Sequence, residues 1–203
     1  MTTVKTASKK IVALALAAAP FAIRAERGSD VAAREQLLDV CFGPGRDART
    51  CQRIRDGRLP AEGLAFSAVA QGKLVGTVRL WHVSAGGRVA LVLGPLAVDP
   101  ACQKLGVGGA LMRHAIEAAR KLGHAAIILL GDAPYYARFG FEAAKAAELH
   151  LPGAFERERL LGLELTEGAL DGAWGMIMPT GKPAATARGL RTGRSRRLVT
   201  TAA

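Results

Sequence analysis

Three glycines in the segment DPACQKLGVGGALM, Gly106, Gly108 and Gly109, follow Gln103 and precede a run with the apolar spacing of a helix. Glycine weakens a helix, so glycines at a helix entrance imply that the backbone must approach something closely. The first N–H groups of a helix lack intrahelical acceptors and lie at the positive end of the helix dipole. Glycines there admit an anion without Cβ clashes, so the chemistry predicted is a phosphate or pyrophosphate cradle. Two other phosphate loops fail the test. A Walker A loop needs Gly-Lys-Ser/Thr, but Gly72–Lys73 is followed by Leu74 and Gly181–Lys182 by Pro183. A dinucleotide fingerprint starting at Gly106 needs a third glycine where Leu111 stands.

A second group is Tyr135 and Tyr136 in YYARFGF, ahead of Gly140 and Phe141. A phenol with an ordinary pKa of about 10 is protonated at neutral pH and can serve as a proton donor. Neighbours on a helix point about 100° apart, so Tyr135 and Tyr136 are expected to face different ways. Either ring can instead be a packing aromatic. His82, after Trp81, reads as a base acting through water or as a structural histidine, and His114 and His124 read as surface. No HExxH, GxSxG or metal-spaced carboxylate pair occurs, which disfavours metal and serine hydrolysis, and no metal is expected. Cys41, Cys51 and Cys102 are odd in number and lack CxxC spacing, so they read as reduced thiols.

The elements that must hold these groups follow from periodicity and turn residues. FAIRAE reads as a strand, with Ser29 or Asp30 as N-cap of an amphipathic helix VAAREQLLDVCF. GPGRDARTCQRIRDG reads as a loop and a second, basic helix stopped at Gly57. Two strands flank a turn at Gln71–Gly72–Lys73, and a longer apolar strand runs from Val89 to Val98. Gly94–Pro95 inside that strand predicts a bulge or a splay, because proline cannot donate to a ladder. Leu111, Met112, Ala115, Ile116 and Ala119 form one helical stripe ending at Gly123. A strand Ala125 to Leu130, a short helix stopped at Gly140, and strands in RLLGLEL and AWGMIMP complete the order. The centre is a strand, glycine turn, helix and strand crossover, and the class is α/β or α+β with a mixed sheet.

The net charge of +11 resembles a nucleic-acid signal until it is located. Residues 1–20 carry three lysines and no acids, and residues 182–203 carry six basic residues and no acids, which leaves +2 for residues 21–181. The expected organisation is a leader or flexible extension over 1–20, one domain over 21–181, and a basic, disordered tail over 182–203. The tail is a solvated segment or a weak, non-specific attractor of anionic surfaces, and no specific nucleic-acid partner is expected. The longest apolar run, Ile11 to Ile23, contains Pro20 and falls short of the roughly 20 residues of a membrane span. The lysines and IVALALAAAPFA also resemble a secretory signal, but the domain needs the strand at Phe21, so a cytoplasmic location is expected.

The residues LAVDPACQKLGVGGALMRHAIEAARKLGHAAIILLGDAPYYARFGFEAA resemble the core of the GCN5-related N-acetyltransferase (GNAT) family, of the small bacterial type. The resemblance rests on the Q-x-x-G-x-G turn and the later Y-x-x-x-G-F close, with a strand between them, and it covers roughly residues 21–180. Cys102 departs from the larger side chain usual before the glutamine. The resemblance implies a mostly antiparallel, twisted sheet flanked by helices, with a splayed edge that receives acetyl-CoA as cosubstrate. The amides of Gln103, Lys104, Leu105, Gly106, Val107, Gly108 and Gly109 would hold its pyrophosphate. Leu96, Ala97 and Val98 would pair their backbone with the pantetheine arm, and an N–H near Leu96 would meet the oxyanion.

On this resemblance Tyr136 matches the general acid, and the activity implied is transfer of an acetyl group to a primary amine by direct attack. The acceptor, read as a small amine, antibiotic-like amine, amino acid or protein terminus, would bind between FGPGRDARTCQRIRDG and the segment after Phe141. The other reading is a non-catalytic acyl-CoA-binding or regulatory module whose basic tail contacts a partner. A monomer or homodimer is expected in either case.

Overall fold

The computed structural model describes residues 20–184. The leader read over 1–20 and the basic tail lie outside the described residues, apart from Pro20 and Lys182–Ala184. Strands β1 (Phe21–Ala25), β2 (Ala65–Ala70), β3 (Lys73–Ala85), β4 (Arg88–Val98), β5 (Ala126–Leu130) and β7 (Leu160–Glu164) lie side by side in that order. Neighbours are antiparallel except β4 and β5, which are parallel and joined by helix α3 (Val107–Lys121). The central strand, glycine turn, helix and strand unit is therefore as the sequence implies. Helix α1 is Val31–Phe42, α2 is the single turn Gln52–Arg55, and α4 is Ala133–Ala137.

One short strand, and the partners of the strand expected in AWGMIMP, were not legible in the sequence. Strand β6 has only two residues, Leu149–His150, and pairs in parallel with β8 (Gly175–Pro179). In turn β8 pairs with the far end of β3, where Val83, Ser84 and Ala85 face Pro179, Met178 and Ile177. The length of β3 lets it hold β2 along its first half and β8 along its second.

Period-two alternation divides the core between the sheet's faces. Leu91, Leu93, Ile127 and Leu129 join the α3 stripe of Leu111, Met112, Ala115 and Ala119. Their neighbours Ala90, Val92, Ala126 and Ile128 join Trp81, Ile54, Leu160 and Ile177 on the other face. Helix α1 is less amphipathic than expected. Leu37 and Leu38 are buried against Ala97, but Val31 and Val40 are 43% and 66% exposed, because only a narrow stripe touches the sheet.

Asp30 is the N-cap residue of α1, one of the two expected, but its side chain is used elsewhere. Its carboxylate does not cap α1. It accepts instead from Arg24 at 2.6 and 2.8 Å, from the Arg27 N–H at 2.9 Å and from the Ser67 hydroxyl at 3.0 Å, tying β1 to β2. The Arg24 guanidinium, aided by the Arg27 N–H and Ser67, holds the Asp30 carboxyl well below the usual carboxylate range. A folded-state pKa depressed below the unfolded value of about 4 gives stabilisation that is complete above that pH and fades as pH falls. Asp30→Ala leaves several donors unmatched and is expected to cost about 1–3 kcal/mol in urea denaturation at pH 7. Its stability should also fall less steeply than wild type below about pH 4.

The last described residues are tethered. The Leu59 N–H donates to Lys182 C=O and the Ala184 N–H to Gly57 C=O, both next to α2. No helix of the described residues is long and apolar enough to cross a membrane.

Candidate active site

The cavity of interest begins where two strands part. Strand β4 pairs with β5 only at Leu91 with Ile127 and Val92 with Ile128. Beyond these pairs the bulge expected at Gly94–Pro95 is present: Val78 faces Leu96 while Leu80 faces Leu93, so two residues of β4 oppose Arg79 alone. The Trp81 indole N–H donates to Gly94 C=O at 2.7 Å and holds the bulge from the buried face of β3. The opening is a cavity of about 810 Å³ lined by Leu93–Leu96 and Val98 on one side and by Leu130, Gly131, Asp132, Tyr135 and Tyr136 on the other.

Main-chain parity decides which groups face it. The Asp99 N–H donates to Val75 C=O, so Asp99 and, two residues earlier, Ala97 spend their backbone on β3. The N–H and C=O groups of Leu96 and Val98 turn the other way, toward the parted strands. The Cys41 thiol donates to Val98 C=O at 3.3 Å from that side. Of the three residues expected to pair with an extended ligand, Leu96 and Val98 therefore turn their backbone to the gap, with the Val98 C=O shared with the Cys41 thiol. Ala97 does not, and its buried side chain packs under Leu37 and Leu38.

The glycine turn lies at the same end. Lys104 and Gly106 adopt positive φ of 65° and 84°, and Gly106 is the N-cap of α3. Ala110 is the first residue of the helix whose N–H returns to the main chain, to Gly106 C=O at 2.9 Å. The amides of Gln103, Lys104, Leu105, Gly106, Val107, Gly108 and Gly109 have no backbone acceptor among the described residues. Gln103, Lys104, Leu105 and Gly106 are exposed, whereas the Val107 side chain is buried in the core and anchors the turn. A Cβ at Gly108 would lie 3.0 Å from Tyr135 Oη and 3.5 Å from Val98 Cγ2, so Gly108 keeps the cavity open. The Arg113 guanidinium lies 3.5 Å from where a Gly109 Cβ would stand, adding a cation to the positive helix end. The i, i+4 spacing of Gly109 and Arg113 was the overlooked sign of that placement.

Both tyrosines line the cavity, which corrects the expectation that Tyr135 faces elsewhere. Helix α4 is one turn long, starts beside Pro134, and crosses the cavity so that its two rings meet edge to face at 4.9 Å. Tyr135 reaches toward Gly108, with the Arg138 guanidinium 3.9 Å from its ring centre. Tyr136 lies on Gly131, where a Cβ would come within 2.2 Å of its ring. Burial, reinforced by Tyr135 and Asp132, pushes the Tyr136 phenol up to about 12, so it holds its proton across the neutral range.

The opposite end is formed by Arg46 to Arg55 and by Ala154 to Arg159, the two segments expected to shape an acceptor site. Sequence reasoning missed Trp81 and Arg55, whose roles arise from contacts across the chain. His82 is not part of the cavity lining; its ring faces His124 at 5.4 Å, so it is not placed as a base. His114 is exposed, as expected, and His124 is half-buried. Cys41, Cys51 and Cys102 are free thiols. No group of three or more His, Cys, Asp or Glu residues suited to a metal ion occurs among the described residues.

Comparison with known proteins agrees with this architecture. Residues 61–143 match the model of the acetyltransferase (GNAT) domain. The uncharacterized N-acetyltransferase YhbS of Escherichia coli K12 is 30% identical over 162 residues, covering 76% of this chain and 93% of YhbS. The uncharacterized N-acetyltransferase YjhQ of the same organism is 32% identical over 118 residues, which span 56% of this chain and 65% of YjhQ. The crystal structure of YhbS in complex with CoA has a TM-score of 0.67 at 28% identity, over 80% of this chain and 91% of that one. A GNAT acetyltransferase of Brucella melitensis solved with acetyl-CoA has a TM-score of 0.55 at 28% identity, over 83% and 97%. Thirty per cent identity to YhbS along 93% of its length places the chain in the GNAT family of N-acetyltransferases.

Proposed function

We propose that this protein transfers an acetyl group from acetyl-CoA to a primary amine by direct attack. The observation that carries the reading is the row of seven amides without backbone acceptors, Gln103 to Gly109, which reaches the cavity at Gly108, beside the strand edge of Leu96 and Val98. The residues fit the donor. Amides at a positive helix end suit a pyrophosphate, with Lys104 and Arg113 as nearby cations, and a strand edge suits the amides of a pantetheine arm. YhbS and the Brucella protein, solved with CoA and acetyl-CoA, support the same reading.

When bound, acetyl-CoA supplies a thioester whose acyl carbon takes the amine nitrogen as the sulfur departs. The Leu96 N–H, turned into the cavity, is the donor assigned to the acyl oxygen as it gains negative charge. The buried Tyr136 phenol holds a proton for the sulfur. The acceptor must arrive as the neutral amine, and its proton leaves to solvent. This reading places the enzyme where acetyl-CoA is held, in the cytoplasm, as a monomer or homodimer.

The test is calorimetry with CoA followed by release of free thiol from acetyl-CoA with a panel of primary amines. Binding and amine-dependent thiol release are expected, and absence of both overturns the proposal. The domain is assigned to residues 21–181, with Lys182–Ala184 as its final tether. Removing residues 185–203 is accordingly expected to leave both the thermal midpoint and the transfer rate at wild-type values. A large loss of turnover in a folded truncated protein would move the domain boundary.

A further inference from the structure

Arg55 has no carboxylate partner among the described residues, although it lies in the wall of the cavity. Its Nη2 donates to Gln52 Oε1 at 3.1 Å, while its Nε is buried without any acceptor. Nη1 lies 3.5 Å from where a Cβ on Gly94 would stand, beside the bulge of β4. The other arginines of this end are differently occupied. Arg46 is paired with Glu35 and Asp39, and Arg49 lies over the Phe42 ring and donates to Phe42 C=O. Arg159, also in the cavity wall, makes only a loose 3.4 Å contact with the exposed Glu156. Burial pulls the Arg55 guanidinium below its ordinary value, as expected for a cation lacking a counterion.

A half-buried guanidinium whose buried Nε lacks an acceptor is costly, and its planar fork matches the oxygens of a carboxylate or phosphate. On the transferase reading, the bulge beside Gly94 is where the acyl group is presented. A group held by Arg55 would thus belong to the acceptor and lie only a few bonds from its nitrogen. We infer that the acceptor is a small primary amine bearing an anionic oxygen group, carboxylate or phosphate, which Arg55 binds, with Arg159 of the same cavity wall as a second cation. Two carboxylates also line the cavity, Asp132 beside the tyrosines and Glu156 in contact with Arg159.

This inference rests on the proposed transfer, and matched acceptor pairs separate the two. Glycine and glycinamide compare carboxylate with neutral amide, and O-phosphoethanolamine and ethanolamine compare phosphate with neutral hydroxyl. Wild type is expected to show a higher kcat/KM for the anionic member of at least one pair; which pair does so identifies the anion. Arg55→Met should reduce that preference about 10- to 100-fold, the effect of removing a charged hydrogen-bond partner. Arg55→Lys, which keeps the charge and loses the fork, should restore part of it. CoA affinity should stay at the wild-type value in both. Thermal shifts with the same four amines in the presence of CoA provide a readout that needs no turnover and should show the same ranking.

The inference is overturned if wild type prefers the neutral members by both readouts, while amine-dependent transfer stands. It is also overturned if Arg55→Met leaves the preference intact, or if Arg55 variants lose CoA affinity, which would assign the guanidinium to the donor. Failure of wild type to bind CoA would instead overturn the transferase reading itself, and the thermal shifts would still report on the anion.

Discussion

Gly108→Val should abolish CoA binding in a protein that still folds. Gly108 is the second residue of α3, and valine is tolerated at least as well as glycine in a helix, so the helix itself should not suffer. Its side chain has one direction in which to go. The Cβ would already touch the Tyr135 hydroxyl at 3.0 Å and Val98 at 3.5 Å, and the two γ-methyls would occupy the space between the free amides and the strand edge. Tyr135 Oη is the end of a movable side chain, so the crowding can be relieved by closing the cavity rather than by unfolding. Calorimetry with CoA should then give no detectable heat, beside a thermal midpoint close to wild type. Gly109→Ala is the control. Its Cβ would meet only the Arg113 guanidinium, at an ordinary 3.5 Å, and a modest weakening is expected. Wild-type CoA affinity in folded Gly108→Val would remove the cradle from the mechanism.

What the sequence disclosed, and what it did not, follows from the range of the interactions. The glycine turn, the α3 stripe and the Gln71–Gly72 turn depend on residues close together in the chain, and each is found where the local pattern put it. The bulge at Gly94–Pro95 was legible for the same reason. The parity of Leu96, Ala97 and Val98 was not, because it depends on the register with β3, which the Asp99 to Val75 hydrogen bond sets. The hydrogen bond from Trp81 to Gly94 and the position of Arg55 beside that glycine arise from tertiary packing, as does the two-residue strand β6. Tyr135 shows a different limit. The 100° rule correctly separates the directions of neighbouring side chains, but a one-turn helix crossing a wide cavity can present two directions to it.

That correction sharpens the expected behaviour of the two tyrosines. Tyr136→Phe keeps the ring on Gly131 and removes only the hydroxyl, so it should lower kcat and leave CoA affinity nearly unchanged. General-acid contributions run to about 10²–10⁴-fold, and the loss here should fall at the low end. A phenol pushed up to about 12 is a weaker acid than a thiol of about 8.5, so the hydroxyl stabilises the departing sulfur by hydrogen bonding more than by complete proton transfer. The same high value means that ionisation of Tyr136 should add no limb to the pH–rate profile below about pH 11. Tyr135→Phe should act differently. Its hydroxyl stands over Gly108, at the cradle end, so its loss should raise KM for acetyl-CoA and spare kcat. Single-turnover transfer and CoA calorimetry on both variants separate the two effects. If Tyr135→Phe loses kcat while Tyr136→Phe keeps it, the acid is Tyr135. If neither alters a chemistry-limited rate, both rings are packing residues, and sulfur leaves as the thiolate without a protein acid while the CoA cradle stands.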